Sequence, residues 1–167
     1  VLARAFSEIG PAITIEAGQP GDLFGVEHVV NFLSRCLDLP SIPESVEDNS
    51  QLNLYHLVAQ LKVPENCRVG FDRECNSTDF CFLSDIDSLN FSELTENAVI
   101  GWRNNPNLEI SVYDESGSEV GESFIYYEKE EIRLKRPVIP SMFTTDAQIV
   151  HQDCLGYFMK RYALTEN

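Results

Sequence analysis

The spacing of apolar residues predicts three secondary-structure elements in the first forty residues. Residues 2–9 repeat apolar side chains at helical intervals, and the glycine and proline that follow end the helix. Residues 12–16, AITIE, are short and rich in β-branched residues, which is typical of a buried strand in a parallel sheet. Residues 24–39 carry one apolar stripe at helical spacing, with Asp22 as the expected N-cap. This order indicates one repeat of a layered α/β sheet.

The hydrophobic pattern changes after Pro40. The segment that follows, SIPESVEDNSQ, is acidic and rich in serine and proline, a composition that predicts a linker. We therefore divide the chain into the end of an α/β domain over residues 1–40, a linker over residues 41–51 and a β-rich C-terminal domain over residues 52–167.

Short apolar runs separated by turn-forming residues fill the region after the linker. The runs are FCFL, AVIGW, LEISVYD, FIYYE, IRLKRPVI and LGYFMKRYA. Residues 114–117, DESG, predict a hairpin turn. Residues 52–63, LNLYHLVAQLKV, fit both a helical and an alternating repeat, and we assign them to a strand. The sequence thus predicts a mostly antiparallel β module, either a small barrel or a sandwich.

The charge of the chain limits its partners. It contains 12 basic and 27 acidic residues, for a formal net charge of −15. A surface this acidic repels phosphate backbones and anionic lipid headgroups, so we expect neither nucleic acid nor a membrane as a partner. The first residues lack the pattern of a signal or transit peptide, and no apolar run reaches the roughly 18 residues of a membrane helix. We expect a cytoplasmic protein, with this chain as part of a longer polypeptide.

The cysteines and histidines form no recognisable ligand motif. The five cysteines are an odd number without a CxxC pair, and we interpret them as free thiols, with a Cys75–Cys81 bridge as the alternative. The histidines are His28, His56 and His151, and none belongs to an H-x-x-E or H-x-x-H motif. We therefore predict no metal ligand and no cofactor-binding residue in this chain. Zinc held by Cys67, Cys75 and Cys81 is the strongest alternative.

Glu16 is the candidate catalytic residue. It ends the predicted strand at residues 12–16, and the carboxyl ends of strands in α/β sheets are where active-site residues gather. A carboxylate directly after apolar strand residues is costly unless it is exposed or paired. On the local pattern alone, a structural carboxylate that caps a neighbouring helix or loop explains the position equally well.

The segment around Glu16 is similar to a known family. Residues 2–22, LARAFSEIGPAITIEAGQPGD, resemble the helix and Gly-Pro-Ala-x-Thr-x-Glu-x-Gly pattern of the succinylglutamate desuccinylase/aspartoacylase family of zinc-dependent amide hydrolases. The matching positions are Pro11, Ala12, Thr14, Glu16 and Gly18, and Gln19-Pro20 resembles a Gln-Pro of aspartoacylases. In the second half, Asn90-Phe91 and Val138-Ile139-Pro140 resemble the desuccinylase C-terminal module, with Asn97 where a glycine is usual.

The resemblance implies a fold and an activity. The fold would be the end of a zinc-carboxypeptidase-like layered sheet followed by a β-rich domain. The activity would be cleavage of the amide bond of small acidic N-acyl amino acids such as succinylglutamate or acetylaspartate. Family members hold zinc through an H-x-x-E motif and a later histidine, both upstream of the positions in this chain. Glu16 would take a proton from the attacking water and pass it to the leaving amine.

The fragment alone would be inactive under this interpretation, since its partner is the N-terminal half of the same protein. Two alternatives belong to other classes. In one, the β-rich part is an accessory domain for substrate selection or domain packing. In the other, the full-length chain is a pseudoenzyme scaffold that has lost its metal ligands.

Overall fold

The computed structural model divides the chain into two compact units, Val1–Gln51 and Leu52–Asn167. The structure describes residues 5–6, 9–18, 23–42, 53–72, 75 and 77–162. In the first unit, helix α1 spans Leu23–Asp38, which confirms the helix predicted at residues 24–39. Its predicted N-cap, Asp22, lies outside the described residues. So does most of the helix predicted at residues 2–9, of which residues 5–6 are helical.

The strand predicted at residues 12–16 is wrong for this chain. Residues 11–17 adopt no regular secondary structure, and Ile13 is 68% exposed instead of buried. A strand needs a neighbour that pairs with its N–H and C=O groups, and none of the described residues of the first unit supplies one. The described residues of this unit therefore form no layered α/β sheet.

Helix α1 is amphipathic but buries none of its side chains. Its apolar stripe includes Val26, Val30, Leu33 and Leu37, and the last of these is 86% exposed. A stripe of this kind normally faces a core. Within the described residues, no helix is long and apolar enough to cross a membrane.

The second unit consists mainly of β structure. Its strands are β1 (Tyr55–Lys62), β2 (Val69–Gly70), β3 (Phe80–Phe82), β4 (Val99–Arg103), β5 (Ser111–Tyr113), β6 (Ile125–Glu128), β7 (Glu131–Leu134), β8 (Ile139–Ser141) and β9 (Gly156–Arg161). A 3-10 turn at Ile86–Leu89 and the short helices α2 (Gly121–Phe124) and α3 (Ala147–Gln152) connect them.

These strands form two sheets over the described residues. One has the order β5-β1-β9-β8, and all its neighbours are antiparallel. The other has the order β2-β3-β4-β7-β6, in which β2 and β3 are parallel and the other pairs antiparallel. The predicted antiparallel module is confirmed, as is the strand chosen for residues 52–63. The barrel alternative is wrong, because the described strands do not close into one.

The two sheets share one hydrophobic core. Fully buried side chains from the first sheet are Leu61, Val112 and Phe158, and those from the second include Phe80, Ile100 and Ile132. Phe158 lies at the centre of an aromatic group, with its ring centroid 5.7 Å from that of Phe124 and 6.2 Å from that of Phe143. The arrangement corresponds to the sandwich alternative.

The predicted hairpin turn at residues 114–117 is confirmed. The Gly117 N–H donates to the Asp114 carbonyl oxygen at 2.9 Å, and Gly117 has a φ of 80°, which glycine adopts without strain. The Asp114 carboxylate accepts hydrogen bonds from the N–H groups of Ser116 and Ser118. The Ser116 hydroxyl also donates to this carboxylate at 2.6 Å, and this bond, followed by that from the Ser118 N–H, lowers the pKa of the Asp114 carboxyl group.

Candidate functional site

Glu16 lies on irregular backbone and is exposed to solvent. Two residues later Gly18 has a φ of 82°, a left-handed conformation that favours glycine, so the chain turns just beyond the carboxylate. Among the described residues, none makes a hydrogen bond or ion pair with the Glu16 side chain. The described residues therefore offer no support for a capping role. They leave the carboxylate accessible to water and to a substrate.

The structure does not gather the histidines into a site. His28 is exposed on α1, and His151 is exposed near the end of α3. His56 on β1 lies with its Nε2 atom 3.2 Å from the Glu115 carboxylate. In the part of the chain that the structure describes, no group of three or more His, Cys, Asp or Glu side chains is arranged to hold a metal ion.

We expect this chain, residues 1–167, to bind no zinc when purified alone. Zinc in proteins takes about three or four nitrogen, sulfur or oxygen ligands that converge on one point. Elemental analysis after dialysis should find far less than one zinc per chain. One tightly held zinc per chain would contradict the prediction. Loss of that zinc in a Cys67→Ser variant, with a Cys36→Ser variant as control, would assign it to Cys67, Cys75 and Cys81.

The two family-like motifs of the second half meet in space. The Asn90 side-chain amide donates to the Phe143 carbonyl oxygen at 2.9 Å, and the Phe143 N–H donates back to Asn90 Oδ1 at 2.8 Å. The N–H of the next residue, Phe91, donates to the Pro140 carbonyl oxygen at 2.8 Å. Asn90 thus joins the Asn-Phe segment to the loop after the Val-Ile-Pro segment, although 53 residues separate the bonded pair.

Left-handed backbone occurs at several non-glycine residues around this junction. Phe91 has a φ of 62° and Met142 a φ of 58°, and both side chains are exposed. Asn97 has a φ of 67°, and Asn is among the side chains that tolerate this region best. Arg133 Nη1 donates to the Asn97 carbonyl oxygen at 2.8 Å, which helps to hold the turn.

A cavity of about 380 Å³ lies at the surface of the five-stranded sheet. It is lined by Asp72, Leu83, Ser84, Val99, Trp102 and Glu131. Sequence analysis did not identify this site, since its residues come from separate strands and loops. Alternation along β4 would not have indicated it, because a register shift between Val99 and Gly101 interrupts the alternation and leaves both Val99 and Trp102 half-buried.

A second cavity, of about 600 Å³, is more polar. The Arg103 guanidinium lies 3.7 Å from the centroid of the Tyr127 ring and forms an ion pair of 3.3 Å with Glu109. The Tyr127 hydroxyl accepts a hydrogen bond from the Ile110 N–H at 2.9 Å, and burial raises the pKa of that hydroxyl. Arg103 thus pairs with Glu109, and the Tyr127 hydroxyl is bonded to the backbone, within this wall.

Comparisons with protein-family models, with curated proteins and with solved structures give no match for this chain.

Proposed function

We propose that this chain is the C-terminal part of a zinc-dependent amidohydrolase that cleaves the amide bond of N-acyl amino acids. The observation that carries the proposal is Glu16. It stands in the family-like segment of residues 2–22, is exposed, and is free of hydrogen bonds and ion pairs among the described residues. A general base must reach the proton that it takes, and a carboxylate committed to a structural bond is poorly placed for that role.

Glu16 would move the proton in this reaction. Its carboxylate would accept a proton from the water that attacks the amide carbonyl, and would then donate it to the leaving nitrogen as the C–N bond breaks. In line with the family resemblance, the proposal assigns the metal ligands to residues upstream of this chain. Zinc supplies polarisation of the carbonyl and a lowered pKa of water in hydrolases of this class.

The unpaired backbone and the exposed apolar side chains of the first unit are consistent with a sheet that the rest of the proposed protein would supply. Residues 12–16 have the composition of a strand but no described neighbour to pair with, and the α1 side chains of Val26, Val30, Leu33 and Leu37 are exposed. In the proposed full-length protein, a layered zinc-carboxypeptidase-like sheet would supply a partner for each. Its edge would provide the ladder partner for residues 12–16, and its face would pack against α1.

The second unit would be the β-rich domain of such an enzyme. Support comes from the junction at Asn90, which links the two segments that resemble the desuccinylase module, and from the left-handed turn at Asn97. This unit has its own hydrophobic core and nine strands within the described residues. It could therefore hold its shape while contributing to substrate selection.

A preference for acidic N-acyl amino acids over neutral ones provides the test of the proposed function. The full-length protein should release free amine from N-succinylglutamate or N-acetylaspartate. Its kcat/KM for these compounds should exceed that for N-acetylleucine by about 10–100-fold, because a charge-assisted hydrogen bond to the second carboxylate contributes about 1.5–3 kcal/mol. Amine release can be followed with a fluorogenic amine reagent. Equal activity on the neutral substrate, or no hydrolysis of any N-acyl amino acid, would contradict the proposal.

A further inference from the structure

Two of the five cysteines meet at the backbone of Asp72. The Cys75 thiol donates to the Asp72 carbonyl oxygen at 2.5 Å, and the Cys81 thiol donates to the same oxygen. The Asp72 N–H in turn donates to the Cys75 sulfur at 3.2 Å. The sulfurs are therefore neighbours although six positions separate them in the sequence.

The sheet creates the space for this contact. Strands β2 and β3 pair in parallel with Gly70 opposite Cys81. A Cβ atom added at Gly70 would lie 2.7 Å from the Cys75 sulfur, closer than atoms can pack. The missing side chain at Gly70 thus leaves room for the Cys75 sulfur beside Cys81.

The two thiols differ in accessibility. Cys75 is partly exposed, whereas Cys81 is buried at 3% exposure. Burial is the main cause that raises the pKa of the Cys81 thiol to about 11. An oxidant in solution therefore reaches Cys75 first, and Cys81 reacts from within the fold.

We propose that Cys75 and Cys81 are a redox-active pair that forms an intramolecular disulfide on reaction with a low-molecular-weight disulfide such as oxidised glutathione. The Cys75 sulfur, on losing its proton, attacks one glutathione sulfur, and the glutathione S–S bond breaks. The first glutathione leaves with the electron pair and takes up a proton. The Cys81 sulfur then attacks Cys75, loses its proton and expels the second glutathione. Two protein thiols are oxidised and one glutathione disulfide is reduced to two thiols.

The oxidation would change the wall of the 380 Å³ cavity. Asp72 lines this cavity, and a disulfide would remove both S–H donors from its carbonyl oxygen. Trp102 lines it too, and is paired with Cys81 across the β3–β4 ladder. As the only tryptophan of the chain, Trp102 reports on this change through its fluorescence.

The experiment treats the chain with oxidised glutathione, blocks the remaining thiols with an alkylating agent and maps the products by peptide mass spectrometry. We expect a cross-link between Cys75 and Cys81 with the loss of two hydrogens. We also expect a change in tryptophan fluorescence that dithiothreitol reverses. The Cys36→Ser variant, which removes an exposed thiol of the first unit, should behave as wild type.

Two further variants separate the steps. Cys81→Ser should stop at a glutathione adduct on Cys75, and Cys75→Ser should leave Cys81 unmodified. In both, the cross-link is lost. A stable glutathione adduct on Cys75 in the wild-type chain, with Cys81 still free, would overturn the proposal. So would a cross-link of Cys75 to any cysteine other than Cys81. Peptide mapping of the wild-type chain alone distinguishes these outcomes from the Cys75–Cys81 cross-link, so the test does not depend on whether a variant folds.

Discussion

In the proposed hydrolase, replacing Glu16 by Gln should lower kcat of the full-length protein by about 10²–10⁴-fold, the usual loss when a general base is removed. This corresponds to about 3–5 kcal/mol of activation free energy. The amide keeps the shape of the side chain but cannot accept a proton from water. Zinc content and melting temperature should stay close to wild type, since Glu16 is exposed and bonds to no described residue.

The matched control is Glu27→Gln. Glu27 is an exposed glutamate of α1, so this variant makes the same change in charge within the same unit. Its kcat should be unchanged. If Glu16→Gln keeps a near-normal kcat with zinc bound, Glu16 is not the proton carrier. If it unfolds instead, the carboxylate has a structural role.

Replacing Phe158 by Ala should cost about 3–5 kcal/mol of unfolding free energy, the usual loss for a buried aromatic ring. The Phe158 side chain is fully buried in β9 and touches the rings of Phe124 and Phe143. Its removal leaves a cavity between the two sheets. Small domains have only about 5–15 kcal/mol of stability in total, so the second unit should become marginal.

Urea unfolding followed by Trp102 fluorescence measures this effect, because Trp102 lies in β4 of the same unit. Tyr162→Ala provides the control, as Tyr162 is 60% exposed and its loss should cost less than about 1 kcal/mol. A loss below about 1 kcal/mol for Phe158→Ala would show that the two sheets do not share the core described above.

The sequence predicted those elements whose apolar residues repeat with a single period, either helical or alternating. Helix α1 was found to within a residue at each end, because its apolar stripe repeats over 16 residues. Strand β1 was correctly chosen over a helix. Its buried positions, Ala59 and Leu61, alternate as a half-buried strand requires.

The predictions that were wrong concern strands, because a strand forms only where another strand pairs with it. Residues 12–16 have the composition of a strand, but composition does not provide the neighbour that a strand needs. The apolar run at residues 132–139 contains most of β7 and the first residue of β8, and these two strands lie in different sheets. Local periodicity cannot tell which sheet a strand joins, and so it could not distinguish a sandwich from a barrel.

The candidate sites also differ in whether they depend on neighbours in sequence or on contacts between distant segments. Glu16 is a candidate because its neighbours in sequence resemble a motif, and its catalytic role stays a prediction. The Cys75–Cys81 contact could not be derived from a six-residue spacing, because it depends on the β2–β3 register and on the space at Gly70. The cavity lined by Asp72 and Trp102 depends likewise on how distant segments pair.

The central claim is that Glu16 serves a zinc-dependent hydrolase, and the most direct test is amine release measured against bound zinc. The full-length protein would be stripped with a chelator and titrated with zinc, using N-succinylglutamate and N-acetylaspartate as substrates. We predict a rate that rises in proportion to zinc and saturates at one zinc per chain. Full zinc occupancy without amine release, or release that is independent of zinc, would contradict the account.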